Sequence, residues 1–256
     1  MLTFDLEEFD LPREFNIFIS EERMFSITKK GVYELKRILD KHNVRATFFT
    51  TANFAKKYPS LVKELSQRHE IACHGFSHSD DYSEDISNAN IAKKEIEQII
   101  CKSISGFRAP RFKIKKIESL HDSGFKYDSS VNPTIAPGKY CNLSEKRVIN
   151  KKGKILEIPL STLPLFPFLR APMNWYSFRI FPTIYSKIHT LLNNLTSTYQ
   201  MLLIHPWEFV DLRNSTLPNE FRKNTGKVLS RRLENYIKFC KKKNFQFLTI
   251  KEFLKI

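Results

Sequence analysis

The sequence predicts an α/β fold, built as one domain over residues 1–256, and three observations predict it. Short apolar runs of strand length alternate with amphipathic stretches of helical length. The chain is as long as α/β barrels that fold as a single unit. Asp5, His74, Arg108, Asp128 and His205 all fall at or just beyond the C-terminal ends of predicted strands, the end where such sheets build their sites.

The elements follow in order. Met1–Leu6 reads as a first strand, and Thr28–His42 as a helix with Val32, Leu35, Ile38 and Leu39 on one face. Val44–Thr50 is the next strand. Pro59–Arg68 suits a helix opened by proline, Glu70–Cys73 a short strand, and Ile86–Cys101 a longer helix that turns Ile91, Ile96, Ile99 and Ile100 inward. Gly106–Ala109 is a strand, Lys115–Ser123 a helix stopped by Gly124, and Phe125–Asp128 a strand. Frequent proline between Asn132 and Arg170 favours loops and short strands such as Ile155–Ile158. Trp175–Leu195 is expected to be helical in its second half, and Met201–Ile204 to be an apolar strand ending at His205. Lys227–Lys243 is a basic amphipathic helix, and Phe245–Leu248 a last strand before a C-terminal helix.

Composition bounds the function. Lys and Arg number 42 against 27 Asp and Glu, a net charge of +15, which favours anionic partners such as phosphates or a membrane surface. The basic residues are scattered, so specific nucleic-acid binding is not expected. Cys73, Cys101, Cys141 and Cys240 show no C-x-x-C spacing and read as reduced thiols. The short apolar start leads straight into Asp5 and Glu7, which argues against a signal peptide and for a cytoplasmic protein. The sequons at Asn142, Asn194 and Asn214 then read as chance matches. No apolar run is long enough to span a bilayer.

Two clusters carry ligand-type side chains at short spacing. In Asp5-Leu6-Glu7 the acids are two apart, so in a strand both enter one pocket. In His74-Gly75-Phe76-Ser77-His78 a spacing of four, on a helical turn or a glycine-permitted tight loop, lets one cation reach both rings. One carboxylate and two imidazoles with open positions can activate water on a divalent cation, and a second carboxylate can serve as base. Taken alone, His74 and His78 could be surface histidines, Arg108 an ordinary ion-pair arginine and Asp128 a capping aspartate.

Five segments in order resemble the polysaccharide deacetylases with a NodB-type domain. They are Thr3-Phe4-Asp5-Leu6-Glu7, His74-Gly75-Phe76-Ser77-His78, Arg108-Ala109-Pro110-Arg111-Phe112, Tyr127-Asp128-Ser129-Ser130 and Leu203-Ile204-His205-Pro206-Trp207-Glu208, with Ala46-Thr47-Phe48-Phe49 between the first two. The resemblance implies a distorted (β/α) barrel of seven strands and metal-dependent removal of an N-acyl group from a sugar. It implies Asp5 as general base, Glu7, His74 and His78 as metal ligands, Arg108 as the partner of the base and His205 as general acid. Asp128 would orient and tune His205. The family's commonest form has two adjacent aspartates. Here Leu6 takes the second place and the ligand role passes to Glu7, with Glu8 and Asp10 as alternatives. Zinc suits the mixed nitrogen and oxygen donors, with cobalt, iron or manganese as alternatives.

The implied substrate is an N-acylated amino sugar, a nucleotide sugar or lipid-linked saccharide destined for a surface polysaccharide. Alternatives are a deformylase or other non-peptide amide hydrolase on the same scaffold, and a non-catalytic anion- or nucleic-acid-binding protein. Leu163–Arg170 with Trp175, Tyr176, Phe178 and Phe181 forms an aromatic stretch suited either to packing over the barrel or to peripheral contact with an anionic membrane, at the inner face of the membrane if the protein is cytoplasmic.

Overall fold

In the computed structural model, which describes residues 1–82, 86–136, 140–166 and 169–256, the chain begins in the middle of its sheet. All five residues of β1 (Leu2–Leu6) are buried, because parallel neighbours flank it on both edges: β2 (Thr47–Thr50) on one side and β12 (Leu202–Ile204) on the other. From β2 the sheet continues through β3 (Glu70–Cys73), β4 (Gly106–Phe107), β5 (Tyr127–Asp128) and β9 (Ile155–Glu157), and ends at β8 (Asn150–Lys152). Every pairing from β12 to β9 is parallel, and only β8 on β9 is antiparallel. The sheet curls into a half-barrel, so the expected seven strands are the parallel ones, with β8 as an eighth at the edge.

No ladder among the described residues closes β8 onto β12. Side chains bridge the gap instead. Met201 N donates to Ser161 Oγ at 2.8 Å, and Tyr199 Oη donates to the Pro159 carbonyl at 2.6 Å. Two hairpins lie outside the main sheet, β6 (Ile135–Ala136) with β7 (Tyr140–Cys141) and β10 (Thr162–Phe166) with β11 (Leu169–Pro172).

Helices α1 (Glu21–Lys41), α2 (Ala52–Lys57), α3 (Pro59–Leu65) and α4 (Ser87–Ile100) cover one part of the sheet. Helices α5 (Trp175–Ile180), α6 (Thr183–Asn193), α7 (Asn219–Arg222), α8 (Lys227–Lys242) and α9 (Ile250–Leu254) complete the set. Helix α1 starts seven residues before its expected onset. Ser20 caps it, its side chain accepting from Arg23 N, and Glu21 and Glu22 complement the dipole of the first turn. Val32, Leu35, Ile38 and Leu39 are fully buried, and each such side chain contributes about 1.5–3 kcal/mol relative to exposure.

Several expectations are corrected. Ile91 points outward at 50% exposure, because Ala89, Ala92, Ile96 and Ile100 form the buried stripe of α4. The stretch Ile117–Ser123 is a 3-10 helix rather than an α-helix, ending on Gly124 in the left-handed region. The segment from Trp175 is helical in both halves, broken where Pro182 follows Phe181. Phe245–Leu248 forms no ladder. Phe245 and Phe247 pack against the core and Ile250 N donates to Thr47 Oγ1, so the apolar alternation there reflects burial alone.

Candidate metal centre and active site

Glu7, one residue past β1, and His74, one residue past β3, meet at the C-terminal end of the sheet. His74 Nε2 and His78 Nε2 each lie 3.1 Å from Glu7 Oε2. His78 arrives on a loop that requires Gly75, whose φ is +79° and whose added Cβ would fall 2.6 Å from Tyr82 Oη. Asp80 holds that loop by accepting from Phe76 N at 2.8 Å and Ser77 N at 3.1 Å.

The outer nitrogens of both rings are already committed. His74 Nδ1 donates to the Arg108 carbonyl at 2.8 Å, which leaves Nε2 with its lone pair turned toward Glu7. His78 Nδ1 donates to Asp10 Oδ1 at 2.6 Å, and Asp10 also accepts from Arg111 Nη2 at 2.8 Å. Asp10 therefore orients a candidate ligand. Glu8, the other alternative acid, accepts from Thr51 Oγ1 at 3.0 Å. Burial opposes charge on His78, but Glu7 and Asp10 outweigh it and raise its pKa, so a bound cation would have to displace a proton there. The two Nε2 atoms and the Glu7 carboxylate thus fit a divalent cation in donor type and convergence.

Asp5 lies on β1 beside this trio. Its Oδ1 accepts from Arg108 Nη1 at 2.7 Å, and its Oδ2 is 3.9 Å from His74 Nε2. Arg108, fully buried, is fixed by Nε donating to the Ser129 carbonyl and Nη2 donating to Ser129 Oγ, both at 2.9 Å, and it lies 4.0 Å over the Phe49 ring. Burial alone would raise the Asp5 pKa. Arg108, with His74 and His205, more than offsets this and holds Asp5 below the ordinary carboxylate range.

His205 follows β12 and faces Glu7, with Nε2 at 3.8 Å from Oε1. Its Nδ1 donates to Glu208 Oε1 at 3.0 Å, and the same carboxylate oxygen accepts from His205 N at 2.9 Å. Glu208 in turn pairs with Arg179 at 3.2 Å, both fully buried. Burial disfavours the imidazolium, but Glu7, Glu208 and Asp5 raise the His205 pKa to about 9. The Trp207 indole stacks on the ring, 5.1 Å between centroids. Gly31 of α1 allows this turn its position, since a Cβ there would meet the Pro206 carbonyl at 1.8 Å.

The expected role of Asp128 is corrected by this geometry. Its carboxylate accepts from Ser130 N at 2.9 Å and Ser130 Oγ at 2.7 Å, and Asp128 sits across the ladder from Glu157. Burial beside Asp128 drives the Glu157 pKa well up. The carboxylate on His205 is Glu208. Its sequence signal was available, a His-Pro-x-Glu turn whose acid returns three residues later to the residue that opens it.

The site opens into a cleft of about 530 Å³, walled by Trp175, Tyr176, Phe181, Trp207, Phe221 and Phe112. Trp175 packs edge-on to His205 at 5.7 Å and stacks with Phe221 at 5.9 Å. Aromatic faces of this kind suit the apolar faces of sugar rings. Of the expected aromatic stretch, Phe178 is buried, and Pro167 and Phe168 lie outside the described residues.

Residues 24–126 match the family model described as polysaccharide deacetylase, and residues 129–255 match a domain of unknown function, DUF3473. No curated protein matches the chain. A Mycobacterium smegmatis protein assigned as a polysaccharide deacetylase is similar in structure, with a TM-score of 0.65 and 17% identity over 99% of this chain and 87% of that one. A Pseudomonas aeruginosa protein assigned likewise has a TM-score of 0.65 and 16% identity over 98% and 87%. The Puue allantoinase has a TM-score of 0.65 and 14% identity over the same shares, 98% and 87%.

Proposed function

The chain belongs to the polysaccharide deacetylase family of carbohydrate-active hydrolases, and we propose that it removes an N-acetyl group from an amino sugar in a precursor of a surface polysaccharide. The observation that carries this reading is the convergence of Glu7, His74 and His78 with Asp5 and His205 at the floor of one aromatic cleft. A divalent cation, by preference zinc, held by Glu7 and the two histidines would polarise the acyl carbonyl and lower the pKa of a water.

The chain's own groups do the rest. Asp5, anchored through Oδ1 to Arg108, takes the proton of the attacking water on Oδ2, the oxygen that faces the ligands. His205 carries its proton on Nε2 toward the same space and gives it to the leaving nitrogen, without which the amine departs poorly. Glu208 keeps His205 in the orientation and charge state for that transfer. The exposed free thiols of Cys101 and Cys141 support a cytoplasmic location, where such thiols stay reduced.

Acetate and free-amine release should be measured on soluble N-acetylglucosamine oligomers, an N-acetylated nucleotide sugar, an N-formyl sugar and small linear amides. The expected result is hydrolysis of an N-acetyl sugar that a chelator abolishes and zinc restores. Turnover of linear amides alone would replace this reading with a non-sugar amidase. In Glu208→Gln, kcat should fall about 10–100-fold, by analogy with lost second-layer support of histidines. Activity needs protonated His205 and is lost as pH rises through its pKa, so removing the Glu208 charge should move the alkaline limb of the rate profile to lower pH. An unmoved limb would show that His205 is not the group titrating there.

A further inference from the structure

Helix α6 is amphipathic in the inverted sense. Its buried face consists of Ser186, His189, Thr190 and Asn193, and its outer face carries Ile184, Ile188, Leu191 and Leu192, each 40–58% exposed. The buried polar groups are all satisfied. Thr190 bonds the Ser186 carbonyl and the Tyr236 hydroxyl, His189 bonds Gln200 and the Ala171 carbonyl, and Asn193 donates to the Tyr199 carbonyl. The polar face is thus built to stay inside. The apolar face is left about half exposed, an arrangement that marks an interaction surface.

The patch extends beyond one helix. Leu195 continues the stripe at 78% exposure, and the hairpin of β10 and β11, packed against α6, exposes Leu165, Phe166 and Leu169 at 51–70%. Phe181 and Tyr176, 41% and 38% exposed, belong both to this set and to the walls of the active-site cleft. Charge indicates what covers it. Between Glu157 and Glu208 the sequence has no carboxylate, and outside the buried Arg179–Glu208 pair it has two permanent cations, Arg170 and Lys187. Helix α8, packed against α6, adds exposed Arg231, Lys238 and Lys242, on a chain of net charge +15. A second copy docked through the same face would set these cations against their own images. An anionic bilayer complements both the apolar stripe and the basic border.

We propose that α6 and the β10–β11 hairpin form a peripheral docking surface for an anionic lipid bilayer, with the mouth of the cleft held beside the lipid headgroups. Ile184, Ile188, Leu191 and Leu192 insert below the headgroups, as the apolar face of an interfacial helix does, and the basic residues stay among the phosphates. The surface is independent of the chemistry assigned to the cleft.

The test is flotation of the full chain, zinc-loaded, with vesicles of phosphatidylcholine containing about a third phosphatidylglycerol. Binding should be strong, weaker in pure phosphatidylcholine and reduced but not abolished by salt. The triple variant Ile184→Ser, Ile188→Ser, Leu192→Ser should lose about 100-fold in vesicle affinity while melting as the parent does, since all three side chains are exposed. Sedimentation of the free protein provides the opposing outcome: a dimer that the same substitutions dissolve, with no flotation, overturns the proposal in favour of a second copy. Absence of both flotation and dimer overturns it as well. Hydrolysis of soluble N-acetylglucosamine oligomers is measured in parallel and should not change in the variant. Failure of that hydrolysis in the parent would count against the proposed function and leave the flotation result standing.

Discussion

Asp5→Asn is expected to lower kcat by about 10²–10⁴-fold, the range lost with a general base, while the purified protein keeps its metal. Asparagine preserves an oxygen for Arg108 Nη1, so the geometry at 2.7 Å can survive; what disappears is the negative charge and the basic Oδ2. The same substitution should be felt by the fold. Arg108 is fully buried, and leaving a buried charge without its counter-ion costs about 3–5 kcal/mol. The variant should therefore melt earlier, and rates must be compared below its transition. A folded, metal-loaded Asp5→Asn with parental kcat would remove Asp5 from the reaction.

His74→Ala should abolish metal retention and reduce hydrolysis to background. His74 is the ligand candidate held most rigidly: it is 1% exposed, with Nδ1 tied to the Arg108 carbonyl and Nε2 turned to Glu7. Its loss leaves one carboxylate and one imidazole, too few donors to hold a cation against dialysis. Metal content after dialysis, measured beside acetate release, checks this. One equivalent of metal retained with normal turnover would move the binding site elsewhere, and the nearest alternative is the group formed by Asp5, Glu7 and His205.

Much of this site is legible in the primary structure because its residues sit where strands end. Strand termini follow from apolar runs, and a polar residue that terminates such a run has few places to go but the loop face of the sheet. Asp5, His74, Arg108 and His205 were each visible for that reason, and the spacing of two in Asp5-Leu6-Glu7 predicted that both acids share a face. Asp128 has the same signature and a different fate. It ends β5, but the neighbouring strand brings Glu157 opposite it and its own Ser130, two residues on, bonds it, so its carboxylate is taken up away from His205. A strand's end specifies the layer a side chain occupies; only the partner strand decides what it touches.

The inverted helix α6 shows the same division. Its periodicity was readable, but apolar residues at helical spacing are ordinarily assigned to a core, and nothing local reveals that Ser186, His189, Thr190 and Asn193 find partners inside. The sequence by itself determined the alternation of elements, the two ligand clusters and the residue that ends each strand, because these depend on spacing along one chain. The tertiary structure decided that Glu208 rather than Asp128 orients His205, that Asp10 orients His78, and that the apolar stripe of α6 faces outward. Apart from the His205–Glu208 turn, which leaves a local signal, those outcomes depend on contacts between segments tens of residues or more apart, and pattern along the chain carries no information about which of them meet.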